Sequence, residues 1–393
     1  MKNASISSYN TSYEVKHLHF NDLTPKDIEE WKELETTATE PNAYLSPHFV
    51  LPALKYLENE SRITFVTVRK VAIGLSSLVG LAILKKYNFS RYLPLPHVSF
   101  FHTRHSYLSG IFAHKEYIQE VVPILLRNIT NFQVSQYGIE VEETSADGNL
   151  YLLISDIFKN LGFRWFPYKE WQRKTLPVNQ AKNVQQNFSK RLNKNFKRNL
   201  RKIGELGEVS WGIISHGDVN AAYIQEFLEL ENMGWKGKRK SSLYSNPNAV
   251  LFFQEMIQNF NRENKAYFMR LTLNDKAIAS NSNFISGNVG FAFKIGWDVN
   301  YAKYSPGVLN EILFLESVNN KFDHVDYFDS GTYGESFIDS IWAEERKMQS
   351  GVFVRESFAK FLSPFINLFL KPSLNFVKTI KATLINKNNK ELD

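Results

Sequence analysis

Apolar residues recur at helical spacing over residues 25–36 and 47–59, alternate from Ile63 to Val68, and then run uncharged between Lys70 and Lys85. The first two segments predict helices, the third a strand, and the uncharged run one or two strands buried inside a sheet. Further on, YIQEVVPILLRNI predicts a helix at 117–129 despite Pro123, and FQVSQYGIEVEE a strand at 132–143. Asn149 to Leu161 predicts another helix, closed by Gly162. Strands and helices thus mix within the first 170 residues, a pattern that belongs to the α/β and α+β classes.

A strand is expected at 171–176, with Pro177 opening a long helical segment behind it. Val184, Phe188, Leu192, Phe196 and Leu200 recur every four residues, and Ile203 follows three later. That is one apolar stripe; Lys190, Arg191, Lys194, Lys197, Arg198, Arg201 and Lys202 occupy the other faces, and Gly204 and Gly207 end it. A second unit then begins with the strand GEVSWGIIS, followed by a helix capped by Asp218 and reaching about Met233. Pro247 starts a helix through Asn261, and three strands succeed it at 266–273, 277–285 and 289–297. Asn274-Asp275 and Gly287-Asn288 supply the two hairpin turns. A helix after Ser305-Pro306-Gly307, the strand HVDYFDSG, a short helix near 335–343 and a last strand near 347–354 complete the pattern. The expected organisation is a unit at 1–176, a connecting basic helix at 177–207, a second unit at 208–355 and a basic amphipathic tail at 356–393.

Composition is that of an ordinary folded chain, 43% hydrophobic and 22% charged, with a net charge of +7. The charge is concentrated. Residues 171–204 hold ten Lys and Arg and no acid, and the tail has six Lys against three acids, so the remainder sums to −6. A local excess on a slightly acidic body favours one anionic ligand over general nucleic-acid binding. Aromatics for base stacking are sparse on the basic helix, which argues the same way. The absence of cysteine removes a thiolate nucleophile, a disulfide framework and cysteine-based metal sites. The first twenty residues lack the apolar core of a signal peptide, so a cytoplasmic protein is expected. In the tail Phe358, Phe361, Leu362, Phe365, Leu368 and Phe369 fall at helical spacing. Docking on this chain or a partner is the favoured reading of that pattern, and peripheral contact with an anionic inner-membrane face the alternative.

The phosphate-loop, dinucleotide-binding, nucleophile-elbow and zinc-protease motifs are all missing. His102 and His105 are spaced H-x-x-H with no carboxylate nearby in sequence, and read as hydrogen-bonded histidines rather than a metal pair; no metal is expected. The informative stretch is GFAFKIGWDVNYAKYSPGVLNEILFLES at 290–317, where a strand ends at Trp297 and Ser305-Pro306-Gly307 opens a helix. Ser caps, Pro costs no hydrogen bond in the first turn, and Gly lets a ligand approach the backbone. A helix start beside a strand end suits a pyrophosphate.

The string W-D-x-x-Y-x-x-Y-S-P-G from Trp297 to Gly307, followed by a helix and VDYFDSG, resembles the GNAT-fold acetyltransferases of the CelD/BcsL type, relatives of the Fem-type peptidoglycan aminoacyltransferases. FKRNLRKIGELGEV at 196–209, FLELENMGWKGK at 227–238, PNAYLSPHF at 41–49 and HSYLSG at 105–110 resemble other parts of that family. The resemblance spans about residues 25–355 and implies two tandem GNAT-like domains with mixed sheets, joined by the long basic helix. It implies acetyl-CoA as co-substrate and a small-molecule or glycan-linked amine or hydroxyl as acceptor, in polysaccharide or cell-envelope biosynthesis. A Fem-like enzyme using aminoacyl-tRNA and an inactive scaffold are the alternatives. Carried over by position, Phe291 to Trp297, with Ile295 and Trp297, would hold the pantetheine, and Ser305, Gly307 and Val308 the pyrophosphate. This departs from the usual glycine- and arginine-containing loop. TYGESFIDS after the aspartate strand also lacks the family's Tyr-Lys. Acyl transfer to an amine needs a base, oxyanion stabilisation and a proton for the thiolate. Asp329 is the expected base and Tyr304 the expected acid, with Trp235, Lys236, Asp298 and Glu335 as acceptor contacts.

Overall fold

A computed structural model describes residues 12–72, 74–181, 188–215, 217–334 and 336–360. The chain builds a mixed α/β fold around one continuous sheet. In its first half the strands are β1 (Ser12–Leu18), β2 (Ile63–Ala72), β3 (Leu75–Tyr87), β4 (His97–Phe100), β5 (Phe112–Ala113), β6 (Gly138–Ser145) and β7 (Phe163–Pro177). The second half adds β8 (Val209–Ile214), β9 (Ala266–Leu273), β10 (Lys276–Ser286), β11 (Val289–Trp297), β12 (Tyr327–Asp329) and β13 (Glu344–Arg355). Their order is β1-β2-β3-β4-β6-β13-β7-β12-β11-β10-β9-β8, with β5 pairing off this path on β3. The last strand therefore returns to the first half, where β13 lies between β6 and β7 and pairs with both.

The helices are α1 (Pro25–Thr37), α2 (Pro47–Tyr56), α3 (Ile118–Thr130), α4 (Asn149–Asn160), α5 (Lys190–Gly204), α6 (Ala221–Asn232), α7 (Trp235–Lys238), α8 (Pro247–Arg262) and α9 (Pro306–Lys321). Strand alternation decides which face each covers. Phe65 and Ile83 point to the side shared by α1, α2, α6 and α8, whereas Val66 and Leu84 point to α3 and α4. In the second half Phe268 and Phe284 join the same shared core, and Tyr267 and Ile285 face α9. One apolar cluster thus crosses from half to half; Phe49 of α2 meets Phe252 of α8 edge-on at 5.3 Å.

Several local expectations change. A strand not expected from the sequence, β1, pairs along its whole length with Phe65 to Val71 of β2. Pro177 ends β7 and leads into a single 3-10 turn at Val178–Gln180, and α5 starts at Lys190 with the Ser189 hydroxyl accepting from the Leu192 N–H. Asp218 does not cap α6; Asn220 does, accepting from the N–H groups of Ala222 and Tyr223. The β9–β10 hairpin forms as expected, with Asn274 and Asp275 at φ 49° and 62°, the pair of positive values that a type I′ turn requires. Val184 of the stripe and the tail beyond Lys360, with Phe361, Leu362, Phe365, Leu368 and Phe369, lie outside the described residues.

Candidate functional site

Strand β12 pairs with β11 only through Tyr327–Asp329 opposite Val289–Phe291. From Ala292 to Trp297 β11 runs on with no strand on that side among the described residues, so the sheet opens into a wedge. On its other side β11 pairs with β10, and the register slips: Ser282 faces Lys294 and Asn283 faces Ala292, which leaves Phe293 as the extra residue of a bulge. The bulge turns Phe293 into the shared core while Lys294 lines the wedge.

Two clefts occupy the opening. One of about 200 Å³ is lined by Trp297, Ala302, Ser305, Pro306, Gly307, Val308 and Phe337. The other, of about 230 Å³, is lined among others by Tyr107, Asn281, Lys294, Glu311 and Trp342, and shares Phe337 with the first. Helix α9 runs from one to the other, because Gly307 and Glu311 are four residues apart and lie on one face. A Cβ on Gly307 would meet the Ile295 side chain at 3.1 Å, so glycine lets the helix start lie against β11.

The helix start differs from the sequence expectation. Ser305 is left-handed, at φ 54° and ψ 57°, and its side chain makes no cap hydrogen bond. The Ser305 N–H donates to the Ala302 carbonyl and the Val308 N–H to the Ser305 carbonyl. Pro306 has no N–H, so among the described residues Gly307 supplies the one backbone donor of this turn without a backbone partner. Positive charge arrives from α5 instead. The Asn199 amide of α5 donates to the Tyr304 carbonyl at 3.1 Å, which seats α5 beside this turn. Lys190, Arg191, Lys194, Lys197, Arg198, Arg201 and Lys202 are all exposed along it.

The second cleft holds chemistry that sequence reasoning missed. The Lys294 ammonium donates to the Tyr107 hydroxyl at 3.1 Å. Burial drives its pKa down to about 8, partly offset by Glu231 and reinforced by Arg104. Burial also raises the Tyr107 phenol above its ordinary value. Glu311 is 3% exposed. Its carboxyl accepts from the Trp342 indole at 2.9 Å and the Asn281 amide at 3.1 Å. Both bonds favour the anion, yet burial outweighs them and brings its pKa up to about 7. The sequence signal for Glu311 was a carboxylate on the face of α9 that carries Gly307 and Leu315; for Lys294 it was a lysine in an otherwise uncharged strand.

The expected site residues are only partly gathered here. Ile295 lines the second cleft, and Trp297, Ser305, Gly307 and Val308 line the first. The Ile295 carbonyl accepts from Lys236, whose ammonium also pairs with Glu231 at 3.3 Å. Asp329, expected as the base, is tied elsewhere: it accepts from the Gly331 N–H, pairs with Arg346 at 3.1 Å and lies 3.6 Å from Arg173. That makes it the clamp behind the wedge. Tyr304, expected as the acid, is buried with Ile203, Leu271 and Leu309 in an apolar cluster and lines neither cleft. Asp298 caps the turn at Val299–Tyr304 by accepting from the Asn300 N–H. Trp235 begins α7, and Glu335 lies outside the described residues. Of the two histidines His102 is hydrogen-bonded as expected, to Glu143 at 3.3 Å with Glu142 at 3.7 Å, whereas both ring nitrogens of His105 are buried without a hydrogen-bond partner.

Residues 190–337 match the family model described as an acetyltransferase (GNAT) domain. The matched segment contains α5, the wedge and the whole of α9. No curated protein matches the chain. Among solved structures, FemX superposes with a TM-score of 0.58 at 10% identity, covering 90% of this chain and 99% of that one. A conserved protein of unknown function from Bacteroides thetaiotaomicron gives 0.53 at 11% identity, covering 84% and 98%. At these identities the likeness is one of fold, and it extends over both halves. The CelD/BcsL type is not resolved by these matches.

Proposed function

We propose that the protein is a GNAT-type acyltransferase that takes an acetyl group from acetyl-CoA and passes it to the amine of an amino sugar or a related acceptor in polysaccharide or cell-envelope biosynthesis. The observation that carries this reading is the edge of β11 from Ala292 to Trp297, which pairs with no described strand beyond β12, has the Lys236 ammonium on the Ile295 carbonyl, and runs from the start of α9 to a cavity holding a lysine. An extended pantetheine arm is a chain of amides, and an unpaired strand edge offers it the hydrogen bonds of a neighbouring strand. The pyrophosphate would lie at the Gly307 N–H, in the positive field of the α9 start and of α5. The thioester then enters the second cleft. There the Lys294 ammonium can face the oxyanion of the tetrahedral intermediate and donate a proton to the departing thiolate, a role suited to an acid of pKa about 8. With no cysteine in the chain, the acceptor amine attacks the thioester directly.

A second reading, an RNA-linked aminoacyl donor, is favoured by one feature. Helix α5, seated on the same turn through Asn199, carries seven exposed cations along its length, more positive charge than a single pyrophosphate requires. Calorimetric titration with desulfo-CoA, and with aminoacylated and free tRNA, separates the two. Micromolar binding of desulfo-CoA and no preference for the charged tRNA supports the first; the reverse pattern replaces it with the second.

A further inference from the structure

The second cleft contains a carboxylate that donor binding does not use. Among the described residues lining that cleft Glu311 is the one acidic side chain, and no ammonium or guanidinium lies within ion-pair distance of it. Three other buried carboxylates have such a cation: Glu143 pairs with Arg173, Glu231 with Lys236 and Asp329 with Arg346. Glu311 is instead held by neutral donors in a relay. The Trp211 indole donates to the Asn310 carbonyl oxygen at 2.8 Å, the Asn310 amide to the Asn281 side-chain oxygen at 3.0 Å, and the Asn281 amide to Glu311. Trp342 fixes the other oxygen. A relay of neutral groups sets the position of the carboxylate without supplying the counter-charge that would make it a weak base.

We propose that Glu311 is the general base that removes the proton from the attacking acceptor. This rests on the acyl-transfer reading above. The acceptor nitrogen forms its bond to the thioester carbon as one of its protons passes to a Glu311 oxygen. The C–S bond then breaks, and the thiolate leaves with a proton from Lys294. Solvent carries the proton from Glu311 back to Lys294, so the net change is one amide formed and one thiol released. The titratable group that Glu311 acts on is Tyr267 from β9, which burial and then the Glu311 charge push up; Lys294 and Tyr107 line the same cleft. With burial setting its pKa at about 7, about half of the Glu311 population is ionised at neutral pH, the condition in which a base is most effective.

The test uses the full chain, acetyl-CoA as donor and water as acceptor, with thiol release followed from pH 5.5 to 9 and acetyl-CoA affinity measured calorimetrically on the same samples. Glu311→Gln is expected to lower thiol release roughly 100-fold and to erase the rise in rate near pH 7, with acetyl-CoA affinity unchanged. Trp342→Phe removes a bond that favours the anion, and is expected to move that rise to higher pH. A purely structural role for Glu311 would not move the profile. Wild-type rate and profile in Glu311→Gln overturn the proposal. So does a wild type that binds acetyl-CoA yet releases no thiol above the spontaneous rate. If the wild type does not bind acetyl-CoA at all, the donor assignment fails first and the base assignment falls with it.

Discussion

Asp329 and Glu311 are both buried carboxylates near the wedge, and their surroundings give them opposite tasks. Asp329 shares Arg346 with Glu40 and Arg173 with Glu143, so removing it weakens two pairings without leaving either guanidinium alone. Asp329→Ala is expected to cost about 2 kcal/mol in denaturant unfolding, less than the loss of a buried charge's sole partner. Glu311 behaves differently with pH. Its pKa is higher in the folded chain, about 7, than the ordinary 4.5, so the folded state holds its proton more tightly. The stability this gives is complete below pH 4.5 and is lost as pH rises through 7. Glu311→Gln should therefore be more stable than the wild type above pH 7, by on the order of 3 kcal/mol, with the difference shrinking toward pH 4.5. Equal pH dependence of the two proteins in chemical denaturation would contradict the burial argument. The sequence led to Asp329 because it ends a strand of an α/β unit, a position where functional carboxylates gather. What hid its task is that Arg173 comes from β7, far back along the chain, and that Arg346 reaches Asp329 only through the return of β13. Glu311 was hidden by the reverse effect: inside an amphipathic helix pattern one acid reads as a solvated position.

At the scale of elements, the best-read pieces were those whose signal is local. The β9–β10 hairpin turn, the start of α9 at Pro306 and the limits of α8 follow from turn and cap residues within a few positions. The misread pieces depend on partners. Strand β7 extends from Phe163 to Pro177, longer than the expected 171–176, because β13 pairs with its charged first part. Helix α5 was read as an apolar stripe with basic residues on its other faces, inside a longer helix at 177–207. It rests by Phe196, Leu200 and Ile203 against the cluster around Tyr304, with its cations exposed, and Asn199 ties it to the α9 start. Reversing two of them, Lys194→Glu with Lys197→Glu, should weaken acetyl-CoA binding about tenfold at low salt and flatten its salt dependence, since exposed charges act over roughly 10 Å before screening. Titrations at two ionic strengths check this, and an unchanged salt slope would remove α5 from the donor site.

Across the whole molecule, the two halves are less independent than a tandem arrangement suggests. The shared cluster spans α1, α2, α6 and α8, Glu35 of α1 accepts from Ser286 of β10 at 2.6 Å, and β13 lies between strands of the first half. A chain ending at residue 343 would leave β6 and β7 without the strand that joins them. It should lose the cooperative unfolding transition of both halves, as followed by circular dichroism and tryptophan fluorescence together; one half still melting normally would show that β13 is dispensable to it. This long-range closure was not legible in the sequence, because strand order depends on which edges meet and no local pattern records that. It sets the wedge between β11 and β12 within one continuous sheet. The central claim is that this wedge, with the α9 start at its end, binds the acyl donor. The most direct measurement is a calorimetric titration of the wild type and of Gly307→Glu with acetyl-CoA, with a thermal melt to show that the variant is folded. Micromolar binding to the wild type and none to the folded variant is the predicted result. Equal binding by the two proteins, or none by the wild type at high micromolar donor, would contradict the account.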